Sequence, residues 1–146
     1  MIITIARQYG CGALAIGKML GAAYGIPFYT RKGLLEMARA EGVLEEMDDF
    51  FEERPVDELL FAISALGHSE GPVHSRALDI LSDMIGQRNC IIIGRCGNYI
   101  FRWRADLVSV FLKGREDERV RAVVAEQGIG MAEAREIVRD MDDSRV

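Results

Sequence analysis

The chain opens on a largely apolar, β-branched run from Met1 to Ala6, then breaks at Arg7-Gln8-Tyr9-Gly10-Cys11-Gly12. A run without polar alternation suits a parallel strand buried between two helical layers. From Ala13 the apolar positions Leu14, Ile16, Met19, Leu20 and Ala23 fit a helix that Gly25 ends, just before Pro27. Phe28-Tyr29-Thr30 is a short extended piece, and Lys32 to Ala40 reads as a second helix. The acidic stretch from Glu41 to Arg54 is less regular and predicts a helix-rich excursion. Pro55 suits a helix start, with Val56, Leu59, Leu60, Ile63 and Leu66 following at spacings of three and four.

Gly67 to Gly71 breaks the chain again. Pro72 opens a helix with Val73, Ala77, Ile80, Leu81, Met84 and Ile85 on one face, ended by Gly86. Cys90-Ile91-Ile92-Ile93, closed by Gly94, and the run Leu107 to Leu112 predict two further strands. Charged helices follow from Arg115 to Gln127 and, after Gly128–Gly130, from Met131 to Asp142. Strands alternating with helices imply an α/β fold of three layers, its parallel sheet covered on both faces. Arg145-Val146 stand where a closing strand is expected, so the sheet reads as lacking its C-terminal closing strand.

At 146 residues the chain amounts to one domain. Its 49% apolar and 28% charged residues are those of a globular protein and exclude a disordered one. The net charge of −5 argues against nucleic acid as a partner, because phosphate backbones demand a basic surface. No apolar run approaches the roughly 18–20 residues of a membrane span. The opening run meets Arg7 too early for a signal peptide. Three cysteines without a C-x-x-C pair argue against a disulfide framework or a zinc site, so a reduced, cytoplasmic setting is expected.

Ligands of open parallel sheets bind at the carboxyl ends of the strands. Three loops are therefore expected to converge: Arg7 to Gly12, Tyr29 to Lys32 and Gly94 to Asn98. The first is a glycine-containing turn feeding a helix N-terminus, whose N–H groups and dipole favour an anion. A plain strand-to-helix turn is the competing reading. Gly12 to Lys18 spells G-x-x-x-x-G-K, but Met19 replaces the required Ser or Thr. Lys18 also lies more than a turn inside the helix, too far to fold back over the loop. It reads as a solvated helix lysine.

ITIARQYGCGALAIGKML, then GIPFY, CIIIGRCGNYIFR and the late DDSR, in that order along the whole chain, resemble the cytidylate kinase-like family, P-loop relatives of bacterial cytidylate kinase. The strings RQYG-x-G and GRC-x-x-YI are specific when found together. The resemblance implies a P-loop NTPase-like fold, ATP as phosphoryl donor and a nucleoside monophosphate, CMP by default, as acceptor. Mg²⁺ would be held mainly through the nucleotide phosphates. In the family's frame Arg7 and Gly12 fall on the two Walker glycines, Ala13 on the lysine position and Leu14 on the hydroxyl position. The family replaces the usual Lys-Ser/Thr by a Gly-Gly-Arg-Glu run, whose Arg and Glu are here Leu14 and Ala15. Donor contacts implied for Gly10, Cys11, Gly12 and Ala13 therefore rest on backbone N–H groups, offered from Gly10 to Leu14, with no cation at the lysine position. Arg7, at the loop entrance, matches the family's arginine and is the compensating charge.

Further along, Arg95 matches the arginine that binds the acceptor's phosphate, a group that a bidentate guanidinium suits. Tyr29 falls on the acceptor side. Arg119, Arg139 and Arg145 match arginines before and within the lid, which neutralise the transferred group; Arg139 and Arg145 flank Asp142. The family's next basic position falls on Ala122, with Arg121 beside it. The implied organisation is a single domain over residues 1–146, with an acceptor-side excursion over 41–70 and a lid-like segment over 128–146.

Other readings compete with several of these roles. Thr30 and Asn98 stand where the family carries carboxylates. An ion pair is the competing role for Arg95, and a solvated helix face for Arg119, Arg121 and Arg139. Cys11 sits where a helix N-terminus lowers a thiol pKa, as a loop filler or a redox group. Cys90 reads as core, Trp103 as partly buried at the sheet edge, and His68 and His74 as surface or capping residues. Two rival functions stand beside the kinase: a nucleotide- or anion-binding module with little turnover, and a piece of a longer kinase-like protein. A bare sheet edge would favour a homodimer through strand pairing. The partners expected otherwise are nucleotides, with no nucleic acid and no membrane.

Overall fold

The isoleucine-rich runs Ile2–Arg7 and Cys90–Ile93 have two faces to bury, and helices cover both. The computed structural model describes residues 1–47, 72–94 and 97–144. Strand β1 (Ile2–Arg7) leads into α1 (Ala13–Tyr24), and β2 (Phe28–Tyr29) into α2 (Arg31–Ala40) and a 3₁₀ turn at Leu44–Met47. Helix α3 (Pro72–Ile85) precedes β3 (Cys90–Ile93), the short α4 (Gly97–Ile100) and β4 (Leu107–Leu112). Helices α5 (Glu116–Gln127) and α6 (Met131–Asp143) follow. The excursion expected over 41–70 lies, past Met47, outside the described residues, and so does the helix expected from Pro55.

The strands form one parallel sheet in the order β2-β3-β1-β4, with Ile3 beside both Ile91 and Val108. The expected α/β architecture is present. Ile3, Ile5, Ile91 and Ile93 face α1 and bury together with Ala13. Ile2, Cys90 and Ile92 face the other way, into a core shared with Leu34 and Ala38 of α2, Leu81 and Ile85 of α3, and Ile100 of α4. Desolvation in that core pushes the Cys90 thiol up to about 11. Among the described residues strand β4 has a sheet neighbour on one side only, and none of its residues is buried, Phe111 being 62% exposed.

The buried stripe of α1 differs from the one its large apolar residues suggested. Leu14, Met19 and Ala23 are exposed. Ile16 and Leu20 do pack against the sheet, but the buried positions between them are the small Ala13 and Gly17, and a Cβ at Gly17 would come within 2.8 Å of Ile93 Cδ1. Close approach of the helix to β3 thus leaves no room for a larger side chain at Gly17. Trp103, expected to be partly buried, is 52% exposed, while the fully buried place goes to Phe101. The Trp103 indole Nε1–H donates to Ser82 Oγ at 3.1 Å.

A dense network seals the amino-terminal edge of the sheet. Arg104 is buried and donates to both carboxylate oxygens of Asp106, at 2.8 and 2.6 Å, and to the carbonyls of Gly86 and Arg88, at 3.1 and 2.8 Å. The amino group of Met1 pairs with the same carboxylate at 2.6 Å and donates to Asn89 Oδ1. The hydrogen bond from Arg104, then that from the Met1 amine, holds the Asp106 carboxyl well below the usual carboxylate range. A carboxylate depressed in the folded state gives stability that is present above its unfolded pKa of about 4 and lost as pH falls below it. Tm should therefore decline below about pH 4. Asp106→Asn should lower Tm near neutrality and flatten that decline. Parallel pH profiles for variant and wild type would contradict the role given to Asp106.

Candidate functional site

Strands β1 and β3 are neighbours, yet the helices that follow them lie on opposite faces: α1 on one, and α4, through Ile100, on the other. Chain that departs in two directions leaves a crevice at the carboxyl ends. The loop after β1 and the turn after β3 meet there. Gly94 takes φ +74°, and a Cβ on it would lie 2.8 Å from Nη1 of Arg7. The guanidinium of Arg7 therefore rests on the end of β3. Arg95, Cys96, His68 and Arg145 lie outside the described residues.

Gly10 and Gly12 both adopt left-handed backbone, at φ +80° and +68°. Gly12 precedes α1, which has no side-chain cap and no acidic residue in its first turn. Other helix starts carry one or the other: Thr30 Oγ1 accepts from the Gly33 N–H of α2, while α5 and α6, also without a side-chain cap, have Glu116, Asp117 and Glu118, and Glu133, in their first turns. The first N–H groups of α1 and the positive end of its dipole have no such anion from a side chain. An approaching phosphate would find donors and field already aligned.

The back of the loop, by contrast, is fully bonded. Gln8 N–H donates to Leu112 O at 2.9 Å, and Gln8 Oε1 accepts from Gly114 N–H at 3.1 Å. Tyr9 N–H donates to Asp142 Oδ1 at 2.8 Å, while Tyr9 O accepts from Arg119 Nη1 at 3.0 Å. Arg119 also donates through Nε to Gly114 O at 3.0 Å and through Nη1 to Asp142 Oδ2 at 2.5 Å. Gly10 lies so near that a Cβ would be 2.9 Å from Arg119 O. Arg119 is only 6% exposed, so it is neither a solvated residue nor a cation held out to the crevice. Gln8 stands inside the RQYG-x-G string without having been given a role, Gly114 belongs to no motif, and the signs of Asp142 were the DDSR string and its position between two arginines.

Other expected residues are placed elsewhere. Arg139 donates to Glu116 Oε1 through Nε and Nη2, at 3.2 and 3.1 Å, on the exposed side of the α5–α6 hairpin. Arg135 bonds the same oxygen at 2.8 Å. Arg121 is exposed on α5. Lys18 is exposed on α1, as a solvated lysine should be. Tyr29 is half-buried with its ring near Gly33, and Tyr99 is covered by the Arg102 guanidinium at 3.9 Å. The Cys11 thiol is corrected in direction: burial raises its pKa and outweighs the opposing charge of Arg119. Among the described residues no group of three His, Cys, Asp or Glu side chains lies together as a metal site, and no helix is long and apolar enough to cross a membrane.

The sequence model of the cytidylate kinase-like family matches residues 2–146. The chain belongs to the cytidylate kinase-like family. That membership agrees with the RQYG-x-G and GRC-x-x-YI strings. The fold is similar to that of an uncharacterized protein from Eubacterium ventriosum, with a TM-score of 0.70 and 22% identity over 99% of this chain and 73% of the other. It also resembles TT1252 from Thermus thermophilus, with a TM-score of 0.53 and 22% identity over 100% of this chain and 80% of the other. No curated protein matches.

The two loop glycines separate strain from crowding. A Cβ added at Gly12 would meet nothing within 4 Å, whereas one at Gly10 would face the Arg119 backbone. Gly12→Ala should cost about 1 kcal/mol in denaturant unfolding, from left-handed backbone alone. Gly10→Ala should cost about 2 kcal/mol or more. Equal losses would contradict the close packing of Gly10 on α5.

Proposed function

We propose that the protein is a nucleotide phosphotransferase that moves the γ-phosphoryl group of ATP to a nucleoside monophosphate, with CMP as the default acceptor. The uncapped start of α1, behind two left-handed glycines at the β1–β3 crevice, carries this reading. Backbone N–H groups from Gly10 to Leu14, with Cys11, Gly12 and Ala13 between them, hold the donor phosphates. Arg7 lies against Gly94, between that loop and the chain that brings Arg95 to the acceptor's phosphate. Tyr29, at the carboxyl end of β2, lines the acceptor side. An acceptor phosphate oxygen attacks the γ-phosphorus, and the bond to the ADP oxygen breaks.

Such transfer depends on positioning and on neutralising charge more than on covalent chemistry from the protein. Ala13 and Leu14 supply no cation. Arg139 and Arg145 would supply it on closure of the lid-like segment, Arg139 exchanging Glu116 for phosphate. Arg119 is already satisfied by protein partners. Resident Mg²⁺ does not fit the side chains, since Leu14 stands at the hydroxyl position and no metal-binding group lies among the described residues. The ion belongs instead to the substrate, as ATP–Mg²⁺. A cytoplasmic setting, where these nucleotides are available, is part of the same proposal.

A binding module with little turnover is the second reading. It is favoured by the absence of a cation at Ala13 and Leu14 and by the carboxylate partners of Arg119 and Arg139. Calorimetric titration with ATP–Mg²⁺ and with CMP, followed by an ADP-release assay on the mixture, separates the two. The kinase reading expects both ligands to bind and ADP release to require CMP. It further expects Lys18→Ala to keep ATP affinity, and Arg95→Ala to weaken CMP binding by about 1.5–3 kcal/mol. Binding without ADP release favours the module, and no binding of either ligand overturns both.

A further inference from the structure

Resting on the reading of the loop as a phosphate cradle, the geometry points to Arg119 and Asp142 as positioning residues that hold the loop from behind and couple its shape to the α5–α6 hairpin. Arg119 lies in the first turns of α5, and Asp142 at the end of α6. Each grips one backbone group of Tyr9: Asp142 Oδ1 takes the N–H at 2.8 Å, and Arg119 Nη1 reaches the C=O at 3.0 Å. Their ion pair at 2.5 Å joins the two grips. Arg119 Nε adds the Gly114 carbonyl, which follows β4.

A buried guanidinium must have its donors met, and Nε and Nη1 of Arg119 find their partners inside the protein. Turning Nε and Nη1 to a phosphate would abandon Tyr9, Gly114 and Asp142 together. Its contribution to phosphate binding therefore runs through the loop. The hairpin core of Val120, Val123, Ala134 and Val138 gives the pair a firm base, and Tyr9 packs against it. Displacement of α6 would carry Asp142 away from the Tyr9 N–H and release the loop residue next to Gly10. Coupling of this kind is reciprocal, so phosphate on the loop would in turn steady α6.

The test uses the full chain, with Arg119→Lys and Asp142→Asn. Lysine keeps the charge but cannot span two carbonyls and a carboxylate; asparagine keeps an acceptor for Tyr9 N–H but loses the ion pair. Two readouts are taken well below each variant's Tm: the rate of Cys11 labelling by a thiol reagent, located by peptide mass spectrometry, and ATP–Mg²⁺ affinity by calorimetry. Cys11 labelling should rise about tenfold in both variants while buried Cys90 stays slow, and ATP–Mg²⁺ affinity should fall about tenfold. A purely electrostatic effect on the thiol would appear in Asp142→Asn but not in Arg119→Lys, and would overturn the inference. So would unchanged Cys11 labelling, or Cys11 and Cys90 rising together as in general loosening. Faster Cys11 labelling in both variants of a protein whose wild type binds no ATP–Mg²⁺ would leave the positioning role standing and remove the nucleotide reading.

Discussion

A loop that offers its backbone N–H groups to a ligand cannot also use them to hold its own shape. The shape must be fixed from the other side. Here the back of the loop is sewn to β4 by Gln8 and to two helices by both backbone groups of Tyr9. The front begins a helix with no side-chain cap and no acidic first turn. Preorganisation of this kind means that binding an anion need not order the loop first, so the entropy of ordering is not charged against affinity.

The two edges of the sheet carry opposite arrangements of charge. At the amino ends of the strands, Arg104, Asp106 and the Met1 amine satisfy one another and close the edge. At the carboxyl ends, Arg7 lies across to Gly94, and the dipole of α1 points its positive end at the crevice. The parallel sheet makes this asymmetry unavoidable, because every strand ends on the same side. The order β2-β3-β1-β4 then sends the chain after β1 and β3 to opposite faces. An anion is thus favoured at one edge of the sheet, between its two central strands.

Much of this was legible in the residues. The apolar runs at Ile2 to Ala6 and Cys90 to Ile93 read as buried strands and are buried along most of their length. Leu107 to Leu112 is a strand as read, but none of its residues is buried. Gly25, Gly86 and Gly128 ended helices where their backbone freedom is used. The inner face of α1 was legible only in part: Ile16 and Leu20 pack on the sheet as their spacing suggested, but Ala13 and Gly17 complete that face, and hydrophobic periodicity weights large side chains instead. Leu14 and Met19 misled for that reason. Arg119 looked like a charge-neutralising arginine ahead of the lid or a solvated residue, since nothing local says that a guanidinium on α5 meets a carboxylate at the end of α6. Cys11 followed its helix terminus in sequence, but burial decides the direction of its pKa. Such long-range partners are products of packing and leave little trace in spacing.

The central claim is that the uncapped turn from Gly10 to Leu14 receives phosphate oxygens. The most direct measurement is ¹⁵N–¹H mapping of backbone amides during titration with inorganic pyrophosphate, which carries the phosphates without the base. The account predicts downfield amide shifts concentrated at Cys11, Gly12, Ala13 and Leu14, with smaller changes at Tyr9. Saturable shifts that leave these four amides still, and gather elsewhere on the surface, would contradict it.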